Sequence, residues 1–172
     1  DIDSHIEREI ETRKQCFRVV LVGYTNVGKS TLLNKLTGAS VLVDDKLFAT
    51  LDTVTRRMKS ESGIPLLITD TVGFIRKLPH HLVASFYSTL AEAKESDLLV
   101  YVVDASQNRF GYEMETIHHV LEEMRIQDKP HMIVFNKIDG VKERYRVGEL
   151  KEKYKDAYFI SATKWRERAV DN

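Results

Sequence analysis

A nearly continuous apolar run, FRVVLV (17–22), leads directly into GYTNVGKS (Gly23–Ser30), and STLLNKLTG overlaps its end. That order constrains the fold more than any other feature of the chain. The run is short and rich in valine, the pattern of a strand covered on both faces. The next eight residues fit G-x-x-x-x-G-K-[ST], and a helical segment follows that closes at Gly38. Strand, glycine-flanked loop and helix together make a cradle for a phosphate chain. Glycines let main-chain N–H groups wrap the α- and β-phosphates, and the helix N-terminus adds positive potential. On this reading Gly23, Tyr24, Thr25, Asn26, Val27, Gly28, Lys29, Ser30 and Thr31 form the phosphate site. Lys29 reaches the β- and γ-phosphates, and the Ser30 hydroxyl ligates Mg²⁺. A glycine-rich turn can match such a pattern by chance, but the strand before it and the helix after it argue against that.

The rest of the chain alternates in the same way. Residues 39–56 have no clear period and read as a long functional loop. RRMKSE and IPLLITD flank Ser62-Gly63 as a hairpin. HLVASFYSTLAEAKESD is an amphipathic helix, followed by the strand LLVYVVD, the helix GYEMETIHHVLEEM and the strand HMIVF. A charged helical stretch, Val141–Tyr154, precedes a last strand, AYFIS. This alternation predicts an α/β domain with a mostly parallel six-stranded sheet, one antiparallel edge strand and helices on both faces. Ile2, Ile6 and Ile10 mark residues 1–15 as a helical segment, which either docks on this domain's own core or ends a helical arm. We read it as the end of an N-terminal helical domain absent here. Residues 16–172 are then the nucleotide-binding domain, with its final helix truncated.

Lys+Arg and Asp+Glu both number 26, so bulk charge points to neither nucleic acid nor membrane. The single cysteine, Cys16, excludes an intrachain disulfide, and apolar runs such as Leu98–Val103 are too short to span a bilayer. The expectation is a cytoplasmic, monomeric domain that needs no membrane.

A phosphate loop does not say which base is bound. FNKID does: Asn136, Lys137 and Asp139 match the NKxD pattern, and a carboxylate at Asp139 can accept hydrogen bonds from guanine N1–H and its 2-amino group. Adenine has no such donor pair, so the contact rejects ATP by leaving a charge unpaired. Ser161, Ala162 and Thr163 follow the last strand where a main-chain N–H would meet the guanine 6-oxo group. Asp70 ends a strand and holds Mg²⁺ through water, while Gly73 of DTVG presents its N–H to the γ-phosphate. A second switch lies in LFATLDTVTR, where Thr50, Thr53 and Thr55 are candidates to complete the Mg²⁺ shell. The ordered set describes a P-loop NTPase with a Ras-like G domain that binds GTP and GDP.

GYTNVGKSTLLNKLTG, LFATLDTVTRR, DTVGFIRKLPHHLVASFYSTLAEAKESDLLVYVVDAS and SATKWRE together resemble the G domain of HflX-type GTPases, from about Phe17 to about Glu167. The resemblance implies GTP hydrolysis with Mg²⁺, association with the large ribosomal subunit and a part in splitting or rescuing stalled ribosomes under stress. It also favours Thr50 as the switch threonine ligating Mg²⁺. Era-like and tRNA-modification GTPases are the alternatives within the class, and GFIRKLPHHLV argues against them.

Phe74 stands where some nucleotide hydrolases keep a glutamine, and a phenyl ring cannot orient water. Lys29, Gly73 and main-chain donors must then be helped from outside. One helper is K⁺ at Asn26, an asparagine position that marks K⁺ stimulation in several relatives, although Asn is also an ordinary turn residue. The other is the ribosome acting in trans. A nucleotide-gated binding module with negligible hydrolysis is the alternative from another class. His80-His81 and His118-His119 lack partners at metal-ligand spacing. Asp104 reads as a cap, and Trp165 is left unassigned.

Overall fold

In the computed structural model, residues 16–38, 53–73 and 90–164 are described. Six strands form one sheet: β1 (Phe17–Val22), β2 (Val54–Lys59), β3 (Pro65–Asp70), β4 (Leu98–Asp104), β5 (His131–Asn136) and β6 (Tyr158–Phe159). Their order is β2-β3-β1-β4-β5-β6. All neighbours are parallel except β2 and β3, which pair antiparallel with Val54 opposite Asp70 and Lys59 opposite Pro65. This is the sheet expected from the sequence.

Helix α1 (Lys29–Thr37) follows β1, α2 (Phe110–Glu123) follows β4 and α3 (Arg144–Lys153) follows β5. Residues 90–94 are also helical. Strand β4 is buried from its second residue to its last, which requires cover on both of its faces. Alternate residues of β2 are exposed, as fits an edge strand. Leu33, Leu99, Ile117, Leu121 and Phe135 are fully enclosed. Phe135 stacks on Phe159 at 5.1 Å and meets Phe110 edge-on at 6.0 Å, which seals the β5–β6 side.

Several boundaries differ from the sequence reading, among them the charged helix, which runs Arg144–Lys153 and not Val141–Tyr154. The loop assigned to 39–56 ends earlier, because Val54 and Thr55 already pair with Asp70 and Thr69. Two β-branched residues with a partner strand beside them extend the ladder beyond what periodicity revealed. The last strand shrinks from AYFIS to Tyr158–Phe159, since a short edge strand has only β5 to pair with.

The parallel strands β1, β3 and β5 bury their last three residues and leave their first ends more open. Their carboxyl ends therefore abut packed material, and β1 lies where the chain turns from one side of the sheet to the other. In open α/β sheets this switch point is where ligands bind.

Candidate functional site

The loop after β1 has left-handed backbone at Asn26 (φ 62°) and Gly28 (φ 96°). Asparagine tolerates that region and glycine is free in it. Gly28 has a second reason to be glycine: a Cβ there would lie 2.3 Å from the side-chain nitrogen of Asn136. Helix α1 opens immediately afterwards, so Lys29, Ser30 and Thr31 occupy its first turn, with their main-chain N–H groups at the loop's end of the helix.

Lys29 is 6% exposed, and its Nζ donates to the carbonyl oxygens of Tyr24 at 2.9 Å and Gly23 at 3.2 Å. Burial pulls its pKa down, and the carboxylates of Asp70 and Glu113 oppose that pull. Ser30 Oγ donates to Asp70 Oδ2 at 2.5 Å, so the hydroxyl and carboxylate assigned to Mg²⁺ converge from α1 and β3. A hydroxyl and a carboxylate are the hard oxygen donors that Mg²⁺ prefers, and these two residues fit such an ion. Among the described residues no cluster of three or more His, Cys, Asp or Glu side chains forms a metal site of another kind.

Beyond Asp70 the chain stays against the loop. Thr71 Oγ1 donates to the Leu21 carbonyl at 2.6 Å. A Cβ on Gly73 would fall 2.6 Å from the main-chain nitrogen of Thr25, so DTVG and the phosphate loop touch backbone to backbone. Of the three switch threonines, Thr50 lies outside the described residues, as do Phe74, His80, His81, Trp165 and residues 1–15. Thr53 precedes β2 and is half-buried. Thr55 sits within β2, its hydroxyl 2.8 Å from that of Thr69, where it serves the sheet.

The NKID side closes on the same loop. Asn136, 2% exposed at the end of β5, donates from Nδ2 to the Val27 carbonyl at 2.8 Å and accepts from Ala162 N–H at 2.9 Å. One amide thus joins the phosphate loop to the Ser161–Thr163 segment. Lys137 adopts φ 61° and its Nζ donates to the Asn26 carbonyl while pairing with Asp104 Oδ2 at 3.1 Å. Asp139 is held from two sides, accepting from Ser161 Oγ at 2.6 Å and facing Lys164 Nζ at 3.2 Å. The Ser161 hydrogen bond, helped by Lys164, holds its carboxyl below the usual range, so the group is an anion at neutral pH.

Asp104 caps the turn as expected, accepting from the N–H and hydroxyl of Ser106, and it also fixes Lys137. That second duty was not visible in sequence, because it needs β4 and β5 to end side by side. Thr116, Glu113 and Lys164 were missed as well: Thr116 meets Tyr24 of the phosphate loop, Glu113 acts on Lys29 and Lys164 faces Asp139, all contacts set by the fold. Of these, only Lys164, adjoining the Ser161–Thr163 segment, carried a positional signal. His119 faces Glu123 at 3.4 Å and His118 lies edge-on to Tyr101.

The sheet order and the convergence of these loops define a P-loop GTPase domain. Residues 18–137 match the family model described as 50S ribosome-binding GTPase, and the chain belongs to that family. Within it, this is an HflX-type G domain: the GTPase HflX of Lacrimispora saccharolytica is 50% identical over 142 residues, 81% of this chain and 34% of that protein. The chain spans about one third of the length of the curated relatives it matches. A GTP-binding protein from the archaeon Sulfolobus solfataricus, solved in complex with GDP, superposes with a TM-score of 0.64 at 30% identity, covering 94% of this chain and 51% of that one. Era in complex with MgGDPNP and nucleotides 1506–1542 of 16S ribosomal RNA gives 0.66 at 26% identity, over 86% and 50%.

Proposed function

We propose that this domain binds GTP with Mg²⁺ and hydrolyses it to GDP and phosphate, slowly when alone, as the switch of a cytoplasmic protein acting on the large ribosomal subunit. The observation that carries the reading is Asn136, whose amide ties the phosphate loop to the Ser161–Thr163 segment beside a carboxylate at Asp139 kept ionised. A base that offers two donors to Asp139 and an oxygen to the Ser161–Thr163 segment is guanine. Lys29 and the first turn of α1 then meet the phosphates, and Gly73 offers its N–H to the last of them, a reading supported by its close approach to Thr25 of the phosphate loop.

Hydrolysis transfers the γ-phosphoryl group to water. The water oxygen bonds to phosphorus, the bond to the β–γ bridging oxygen breaks, and that oxygen leaves with GDP. Lys29 neutralises charge on the β- and γ-oxygens, and main-chain N–H groups of the loop hold the leaving diphosphate. Ser30 and Asp70, with Thr50 as the proposed third residue, would hold Mg²⁺, which would supply further neutralisation there. Loss of the γ-phosphate removes the partner of the Gly73 N–H, which is how hydrolysis becomes a switch. The large-subunit role is supported by the family to which the chain belongs, described as 50S ribosome-binding.

The test is GTP hydrolysis by this chain in matched KCl and NaCl, each with and without large ribosomal subunits. Turnover alone on the order of 10⁻³ s⁻¹, rising with subunits, is the expected result. Stimulation by KCl alone assigns the completing charge to K⁺ near Asn26. GTP binding without turnover in all four conditions makes the domain a nucleotide-gated binding module instead.

A further inference from the structure

The side chain of Tyr24 leaves the phosphate loop and reaches helix α2. Its hydroxyl donates to Thr116 Oγ1 at 3.0 Å, and its ring lies 6.5 Å from that of Tyr112. Thr116 spends its own proton on the Tyr112 carbonyl, one turn back, at 3.0 Å. The relay therefore has a direction, from Tyr24 through Thr116 into the helix. Tyr24 is 9% exposed, and burial raises its pKa, so it remains a donor across the physiological range. Its main chain is held from the other side, because the Tyr24 carbonyl accepts from Lys29 Nζ at 2.9 Å. Tyr24 is thus the point where the phosphate-loop lysine and helix α2 meet.

We infer that the Tyr24–Thr116 hydrogen bond is a positioning contact that sets the phosphate loop in its binding conformation before nucleotide arrives. The loop holds left-handed backbone at Asn26 and Gly28, and fixing each residue of such a segment costs conformational entropy. A tether that orders the loop in advance lowers the share of that cost borne by binding. A ring that merely fills space would do its work without the hydroxyl. The inference rests on the proposed nucleotide-binding function.

The experiment compares Y24F, T116V, T116S and the Y24F/T116V double variant with the parent chain, measuring GDP and GTP affinity and the thermal midpoint. Y24F and T116V are each expected to weaken both nucleotides by about 3- to 10-fold, the range of one ordinary hydrogen bond. The double variant is expected to bind no more weakly than Y24F, which already removes the Thr116 contact together with the hydroxyl's interaction with Tyr112. T116S, which restores the hydroxyl, is expected to return near parental affinity. Unchanged affinity with a lowered midpoint overturns the inference, as do additive losses in the double variant. If Y24F fails to fold, T116V and its serine rescue decide alone. A parent chain that binds neither nucleotide refutes the proposed function and this inference with it, whereas a binding parent matched by T116V refutes only the inference.

Discussion

Asn136 Nδ2 lies 2.8 Å from the carbonyl oxygen of Val27, across 109 residues of sequence, and the same side chain accepts the Ala162 N–H. All three groups are buried, so neither loop can shift without stranding a polar atom. In N136A both the Val27 oxygen and the Ala162 nitrogen lose their partner. The expected cost is about 2–4 kcal/mol in stability, together with a large loss of GDP affinity. Thermal unfolding and nucleotide titration of the same preparation check both.

Gly28 is locked against that amide. G28A places a methyl 2.3 Å from the Asn136 nitrogen and forces a side chain into left-handed backbone. The backbone alone costs about 1–2 kcal/mol, and the collision breaks the Val27 contact as well. Nucleotide binding should disappear while the circular dichroism of the sheet and helices persists. Retained binding counts against the close approach described here.

Asp139 faces Ser161 and Lys164 as an anion. D139N replaces one acceptor oxygen by a donor amide, which opposes the N1–H and 2-amino group of guanine but suits the 2-oxo group of xanthine. GTP affinity should fall roughly 10²- to 10⁴-fold, the loss of two charge-assisted bonds, while XTP affinity rises. Competition between the two nucleotides on one variant gives the answer, and undiminished GTP preference refutes the base assignment.

Glu113 is 2% exposed, with Oε1 3.4 Å from Arg109 Nε and no hydrogen-bond partner for Oε2 among the described residues. Burial raises its pKa above the ordinary 4.5, more than the neighbouring Arg109 lowers it. The folded state therefore holds this proton more tightly than the unfolded chain. Its contribution to stability is full below pH 4.5 and declines as pH rises through the elevated value. E113Q removes that decline. Its melting midpoint relative to the parent should improve more at pH 8 than at pH 5, and a difference that does not vary with pH sinks the assignment.

Much of this could be read along the chain because the relevant signals were local. GYTNVGKS is a contiguous loop whose glycines, lysine and serine are fixed by chain geometry, and β4 announces itself by seven residues with no polar face until Asp104. What stayed hidden depends on which strand ends adjoin. Nothing near Thr116 in sequence indicates Tyr24, 92 residues away, and Asp104 meets Lys137 only because β4 and β5 pair in register. The start of β2 was missed since Val54 and Thr55 take their structure from β3 and not from their own neighbours.

That pairing has a mechanical consequence. Because Val54 stands opposite Asp70, the chain entering β2 and the chain leaving β3 emerge from one end of a single ribbon, about 5 Å apart. Sliding one strand by a residue would turn every side chain of the ribbon to its opposite face, so the two exits are yoked. A tug on either is felt at the carboxylate of Asp70, so the two strands move as one lever.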